Sequence, residues 1–288
     1  MWELKYSFQE PVGVVRITED WSGEGNGIAG LQWLGGVVLC RYMDSRQVFP
    51  EDHFVGRRMI EVGAGCGLTS IYAALRGAHV TITDMDTGKC VDNVESNLAP
   101  RGMEANACVQ RLEWGLAEEM ARFEPPYDLV VAGDCLYEEA CIVPLLQTMW
   151  ALAGPSTEVL LCGVVGHGIL DSFLNQVDLY FDRETVDTAT VDTFAGAASV
   201  DTLGGAATAA LAAATSASKA SLVAAAAAAA GSATEPNSVA PPHDGEGGRD
   251  KTSTSECVVV VDGDDMARRK SGSSDAAHGE GEEASSNG

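Results

Sequence analysis

Between residues 58 and 163 the chain alternates short apolar runs with amphipathic stretches. Near-continuous apolar runs at 58–62, 79–83, 107–112, 127–133 and 157–163 predict strands. Apolar residues at helical spacing predict helices over 67–76, 86–98, 138–153 and 168–180. A strand that is apolar throughout is buried on both faces. Such strands alternating with helices are the pattern of a parallel sheet covered on both sides. Upstream, residues 4–20 alternate apolar and polar around Pro11-Val12-Gly13, which predicts a hairpin. Leu31, Leu34, Val38 and Tyr42 share one helical face and predict a helix over 28–44.

The pattern stops near residue 190. Residues 195–234 are mostly Ala, Gly, Ser and Thr, 235–255 are rich in Pro, Gly and charge, and 271–288 in Ser, Gly, Asp and Glu. These tracts have too few large apolar side chains to offset the entropy of ordering and are expected to be disordered. The stretch 203–230 carries Lys219 and several Thr and Ser, and Ala is barely hydrophobic, so it is not expected to span a membrane. One island interrupts this region. Glu256-Cys257-Val258-Val259-Val260-Val261-Asp262 has strong strand character. It is expected to be the last strand of the sheet, reached across a long insertion; the alternative is a separate tail motif. The expected organisation is a folded domain over 1–190 and 256–262, a low-complexity insertion over 191–255 and a tail over 263–288.

Composition narrows the function. The 288 residues are 45% hydrophobic, ample for a core, and carry a formal charge of −24. Phosphate contacts need clustered Lys and Arg, so a nucleic-acid partner is not expected. The acidity suits a basic protein partner, or simply solubility. The first residues, Met1-Trp2-Glu3-Leu4-Lys5-Tyr6, have neither a basic nor an apolar leader segment. The eight cysteines, at 40, 66, 90, 108, 135, 141, 162 and 257, form no Cys-x-x-Cys pair. Most lie in apolar runs, as buried free thiols do, and the five histidines lie apart from paired cysteines. A reduced cytoplasmic or nuclear setting and no metal are the expectation.

The candidate chemistry sits where strands end. Glu61-Val62-Gly63-Ala64-Gly65-Cys66-Gly67-Leu68 places an acid and three alternate glycines at a strand-to-helix turn. Gly63 and Gly65 permit a sharp turn and close approach of a ligand. Asp84 ends the next strand, where a carboxylate can accept both hydroxyls of a ribose. The Gly-x-Gly-x-Gly spacing differs from the dinucleotide pattern, and the loop has no basic residue. Glu61 beside it disfavours a pyrophosphate and favours a ligand carrying an ammonium group. S-adenosylmethionine has that amine, a ribose and an adenine. A structural glycine turn is the bland alternative. Further strand-end residues are Trp114, within Leu112-Glu113-Trp114-Gly115, and Asp134, within Val131-Ala132-Gly133-Asp134-Cys135-Leu136-Tyr137. Trp33 lies on the expected N-terminal helix. Taken singly, each tryptophan reads as core, and Asp134 reads as a cap for the helix beginning near Glu138.

Together these residues resemble the seven-β-strand S-adenosylmethionine-dependent methyltransferases, above all the methyltransferase-like 21 group of protein-lysine methyltransferases. The resemblance covers about 12–186 and resumes at Glu256. Its carriers are Glu19-Asp20-Trp21, Trp33, the run from Glu61 to Leu68, Thr83-Asp84, Asn93 with Asn97, Leu112-Glu113-Trp114-Gly115 and Asp134-Cys135-Leu136-Tyr137. It implies a Rossmann-like α/β fold: a seven-stranded sheet with helices on both faces, an N-terminal hairpin and a last strand set off by the insertion. It implies that Trp33, Gly63, Ala64, Gly65, Asp84, Trp114 and Ala132 contact S-adenosylmethionine, with Glu61 beside them. It also implies that Asp134 and Tyr137 line the acceptor channel. The implied acceptor is a lysine of a protein, of the chaperone or translation-factor kind, and the implied state is a monomer with no membrane or nucleic-acid partner. Methylation of histidine, arginine or a small amine stays open, as does a cofactor-binding homologue without catalysis. Similar proteins often carry an arginine after the fifth strand; Cys162-Gly163-Val164-Val165-Gly166-His167-Gly168 has none.

Overall fold

Alternation along two strands sets the layers of this fold. On the strand Leu129–Gly133, Leu129 and Val131 face one apolar cluster, while Val130 and Ala132 face another. Its neighbour Arg58–Val62 does the same, with Met59 in the first cluster and Ile60 and Val62 in the second. Successive side chains point to opposite faces, so both faces must be covered.

A computed structural model describes residues 2–20, 27–163, 167–186 and 256–261. The strands are β1 (Trp2–Ser7), β2 (Val14–Glu19), β3 (Arg58–Val62), β4 (His79–Asp84), β5 (Ala107–Arg111), β6 (Leu129–Gly133), β7 (Glu158–Gly163), β8 (Glu184–Val186) and β9 (Glu256–Val261). The helices are α1 (Leu34–Met43), α2 (Leu68–Leu75), α3 (Gly88–Leu98), α4 (Ala117–Met120), α5 (Ile142–Leu152) and α6 (His167–Val177). β3 to β9 form a seven-stranded sheet in the order β5-β4-β3-β6-β7-β9-β8. β3 to β7 are mutually parallel, and β9 runs antiparallel to both β7 and β8. The chain winds outward from β3 through β4 to β5, then returns to β6 on the other side of β3. The topological switch point therefore lies between β3 and β6, where open α/β sheets bind their ligands. One face carries α1, α2, α3 and the hairpin, with Ile71, Tyr72 and Ile82 at its core. The other carries α5 and α6, with Leu145, Met149 and Phe173. This is the Rossmann-like α/β architecture that the strand–helix pattern predicts.

The hairpin β1–β2 is stitched to α3 by side chains. The Asn97 side chain accepts from Arg16 N (2.9 Å) and donates to Arg16 O (2.6 Å). Asn93 repeats this on Thr18, accepting from its N–H (2.9 Å) and donating to its carbonyl (3.2 Å). Arg101 donates to Val14 O (2.9 Å). Two amides and a guanidinium thus serve the outer edge of β2 as a neighbouring strand would.

Two expected elements differ in detail. The helix expected over 28–44 begins only at Leu34. A 3-10 turn, Gly27–Gly30, precedes it, and Trp33 is extended at φ −88°, ψ 150°. The cause is non-local: the Glu19 carboxylate accepts Gln32 N (2.8 Å), which removes that amide from any helix. The stretch 138–153 divides into a 3-10 turn, Glu139–Cys141, and then α5. α4 was not expected, and β8 is the seventh strand that the resemblance implies but no apolar run places; they span four and three residues, too few to show a period. No helix among the described residues is long and apolar enough to cross a membrane. The insertion at 191–255, the stretch 203–230 within it, the tail at 263–288 and Trp21 lie outside the described residues.

Candidate cofactor and acceptor site

The glycine loop leaves β3 at the switch point. Gly63, Gly65 and Gly67 have φ of 73°, 54° and 82°, the left-handed region that favours glycine. Gly63 N and Ala64 N both donate to Thr83 O at 2.9 Å, which folds the loop back onto β4. A Cβ at Gly63 would lie 2.6 Å from Cys135 Sγ and 2.8 Å from Trp114 Cζ2. Backbone thus passes here where no other residue fits, and Gly63, Cys135 and Trp114 come together. Trp114 in turn meets Tyr137, with ring centroids 6.1 Å apart and planes at 44°.

Asp84, at the end of β4, accepts Gly65 N (2.8 Å) and Asp86 N (3.1 Å). Burial raises its carboxyl above the ordinary value, against the pull of the backbone donors of Gly65, Asp86 and Met85. Glu61 turns inward. It is 2% exposed and accepts Ser70 N (3.0 Å) and Ser70 Oγ near the start of α2. Burial pushes its carboxyl up to about 7, opposed by the Ser70 and Thr69 hydrogen bonds. Among the described residues neither Glu61 nor Asp84 forms a salt bridge with a lysine or arginine. This is negative potential held by backbone and hydroxyl donors. It fits a cofactor with a sulfonium, an ammonium and a ribose diol.

Asp134 follows β6 with φ 63°, an uncommon conformation for a residue with a side chain. Its carboxylate accepts Gly35 N (3.1 Å), in the first turn of α1. It therefore caps α1 from across the sheet, whereas the simplest local reading has it capping the helix near Glu138. That helix starts later, and its N-cap is Cys141. The approach is tight: a Cβ at Gly35 would lie 2.8 Å from Asp134 N, and one at Gly133 would lie 2.8 Å from Gly36 Cα. Tyr137 is half-buried. Burial and the neighbouring Cys141 raise its hydroxyl far above the ordinary range, so it stays a neutral phenol.

The structure brings Gly63, Ala64, Gly65, Asp84, Trp114, Asp134 and Tyr137 to the carboxyl ends of β3, β4, β5 and β6. Trp33 sits at the N-cap of α1, its Nε1 donating to Ile28 O (2.9 Å). Ala132 is fully buried in β6, beneath this surface. Glu61 lies behind the loop, facing α2. Sequence reasoning did not single out Ser70, Gly35, Cys135 or Gln32. The adjacent Gly35-Gly36 at a helix start is a signal of close backbone approach. Cys135 lies inside the quoted Asp134–Tyr137 motif, and nothing local in the sequence marks Ser70 or Gln32. Among the described residues no group of His, Cys, Asp and Glu is arranged to hold a metal.

The family model described as lysine methyltransferase matches residues 12–179. The Protein N-lysine methyltransferase METTL21A of Danio rerio is 34% identical over 175 residues, 60% of this chain and 76% of that protein. The EEF1A lysine methyltransferase 3 of Xenopus tropicalis is 32% identical over 176 residues, 60% of this chain and 74% of that protein. Among solved structures, the O-methyltransferase TomG of Streptomyces achromogenes in complex with SAM aligns with a TM-score of 0.40. It is 16% identical and covers 59% of this chain and 83% of that one.

Proposed function

The chain belongs to the lysine methyltransferase family, and from that premise we propose that it methylates a lysine ε-amine of a protein at the site between β3 and β6. Its cofactor is S-adenosylmethionine. When bound, this group supplies an electrophilic methyl on a sulfonium, so the chain needs no strong nucleophile of its own. One observation carries the reading: the glycine loop of β3 lies between two strands that each end in a buried or half-buried aspartate. We assign Asp84, on the β4 side, to the ribose and Asp134, on the β6 side, to the acceptor.

Gly63, Ala64 and Gly65 offer close backbone approach, and Trp114 offers an indole face for the adenine. Trp33 closes the site from α1. Ala132 supports it from below, and Glu61 contributes its carboxyl from behind the loop. Asp134 attracts the lysine ammonium, which releases its proton to bulk water as it enters, and then orients the neutral amine, and Tyr137 flanks it with its ring and hydroxyl. Close packing of α1 against β6 through Gly35, Gly36 and Gly133 supports exclusion of water on that side.

The family resemblance supports a chaperone or translation factor as the substrate. The charge of −24 supports action without nucleic acid. We further assign the working unit to a monomer in the cytoplasm or nucleus.

The test is incubation of cell lysate with the full chain and methyl-labelled S-adenosylmethionine, followed by mass spectrometry. Label on the lysine of a protein is the expected result. Label on histidine, arginine or a small amine, or none above background, overturns the proposal.

A further inference from the structure

The catalytic reading uses neither Glu19 nor Asn93, yet they are 6% and 0% exposed. Buried polar groups are held by what they bond to. Glu19 ends β2, and its Oε1 accepts the backbone N–H of Gln32 at 2.8 Å. Gln32 immediately precedes Trp33. The next hairpin residue ties the same segment, since Asp20 N donates to Gly30 O (2.9 Å). Asn93 lies on α3. Its Oδ1 accepts from Thr18 N (2.9 Å) and Thr18 Oγ (2.8 Å), while its Nδ2 donates to Thr18 O (3.2 Å) and to Cys66 O (3.1 Å). Cys66 belongs to the glycine loop.

One dipeptide, Thr18-Glu19, is thus joined directly to the segment bearing Trp33 and, through Asn93, to the glycine loop. These two segments also abut each other. A Cβ at Gly65 would lie 3.5 Å from Ala29 O and 3.6 Å from Leu31 O, and Cys66 Sγ donates to Ala29 O at 3.8 Å.

We propose that Glu19 and Asn93 are positioning residues of the cofactor site: the end of β2 sets the gap between the glycine loop and Trp33, so the N-terminal hairpin governs cofactor affinity. This rests on the loop holding S-adenosylmethionine. A charge-assisted bond to a backbone amide fixes position more firmly than a neutral contact. An asparagine side chain is the smallest group that offers an acceptor and a donor to one segment and a second donor to another. Neither residue touches the reacting atoms; both act through the backbone they hold.

The test is calorimetric titration of the full chain with S-adenosylhomocysteine, with thermal unfolding of each variant alongside. Glu19→Ala should weaken binding about tenfold or more, through loss of a buried charge-assisted bond. Glu19→Gln keeps an acceptor for Gln32 N and should restore most of that affinity. Asn93→Asp keeps the acceptor for Thr18 N and Oγ but loses the donors to Thr18 O and Cys66 O. It should hold the hairpin in place and still weaken binding, which keeps the question open to test if Glu19→Ala fails to fold. Wild-type affinity in Asn93→Asp, or equal losses in both Glu19 variants, overturns the proposal. Absence of binding by the wild-type chain is a separate outcome; it would remove the cofactor reading itself.

Discussion

The two ends of the sheet treat their carboxylates in opposite ways. At the amino end, Glu158 meets His53 (3.0 Å) and Arg57 (3.1 Å). Nearby, Asp128 accepts Arg58 N (2.7 Å), and the Arg58 guanidinium lies 4.7 Å from the centre of the Tyr127 ring. Burial works to raise the Glu158 carboxyl, but His53 and Arg57 prevail and hold it below its ordinary value. At the carboxyl end, Glu61, Asp84 and Asp134 are met by the backbone donors of Ser70, Gly65, Asp86 and Gly35. There burial wins for Glu61 and Asp84, and both are raised. A charge matched by an arginine adds little to the field around it; one held by dipoles remains available to an incoming cation. On the proposed function, the amino end is built for stability and the carboxyl end to receive the cationic cofactor.

The sharpest way to break this contrast is to remove charge at the carboxyl end while keeping shape. Asparagine tolerates the left-handed backbone of Asp134 and keeps an acceptor for Gly35 N. Asp134→Asn should therefore fold and bind S-adenosylhomocysteine as the wild type does, yet lose at least about a hundredfold in turnover. Initial rates and calorimetry on one preparation check this. Turnover at the wild-type rate would reduce Asp134 to a cap for α1.

Glu61→Gln tests the cost of a buried charge. The folded carboxyl holds its proton up to about 7, whereas 4.5 is its ordinary value. Between these values the folded state binds more protons than the unfolded one, so wild-type stability falls as pH rises through that window and then levels. The variant should lack this fall, a difference of roughly 3 kcal/mol at pH 8 relative to pH 4.5. Urea unfolding at both pH values measures it. Parallel curves for the two proteins would contradict the raised carboxyl.

Asp84→Ala should weaken S-adenosylhomocysteine binding by about 1–3 kcal/mol, through loss of charge-assisted hydrogen bonds. A dissociation constant equal to that of the wild type would separate Asp84 from the ribose. At the other end, Arg57→Ala should cost about 1 kcal/mol of stability or less and leave cofactor affinity unchanged. A weaker cofactor complex in that variant would show that the two ends are not independent.

The mildest change touches neither end. We propose that residues 195–253 form a dispensable insertion and that 256–262 belong to the sheet. Loop-closure entropy grows only logarithmically with length, so a short Gly-Ser linker there should preserve folding and cofactor affinity. Truncation at residue 250 removes β9 from between β7 and β8 and should lower the melting temperature. Equal melting temperatures would count against this division of the chain.

Much of the fold was legible because its signals are local. The five parallel strands begin and end within two residues of the apolar runs that predict them. The glycine loop and Asp84 were legible for the same reason, since strand, turn and acid follow one another in the chain. What escaped depends on partners distant in sequence. Nothing near Gln32 reveals that Glu19 will take its amide, so the helix containing Leu34 was expected to start too early. Nothing near Asp134 reveals Gly35, 99 positions away. Glu61 was visible as an acid beside the loop, but its inward turn depends on Ser70 arriving from the next helix. β8 is three residues long, too short for a pattern to emerge.

The side-chain stitching along β2 also bears on how the protein survives at high concentration. A two-stranded hairpin ordinarily leaves a row of open backbone groups on which a strand from another molecule can add. Here Arg101, Asn97 and Asn93 occupy positions 14, 16 and 18 of that row, in that order, from within the same chain. Helix α3 and the turn after it thus cover the β2 edge of the hairpin without lengthening the sheet. Substituting the two asparagines would expose an adhesive edge as well as loosen a contact.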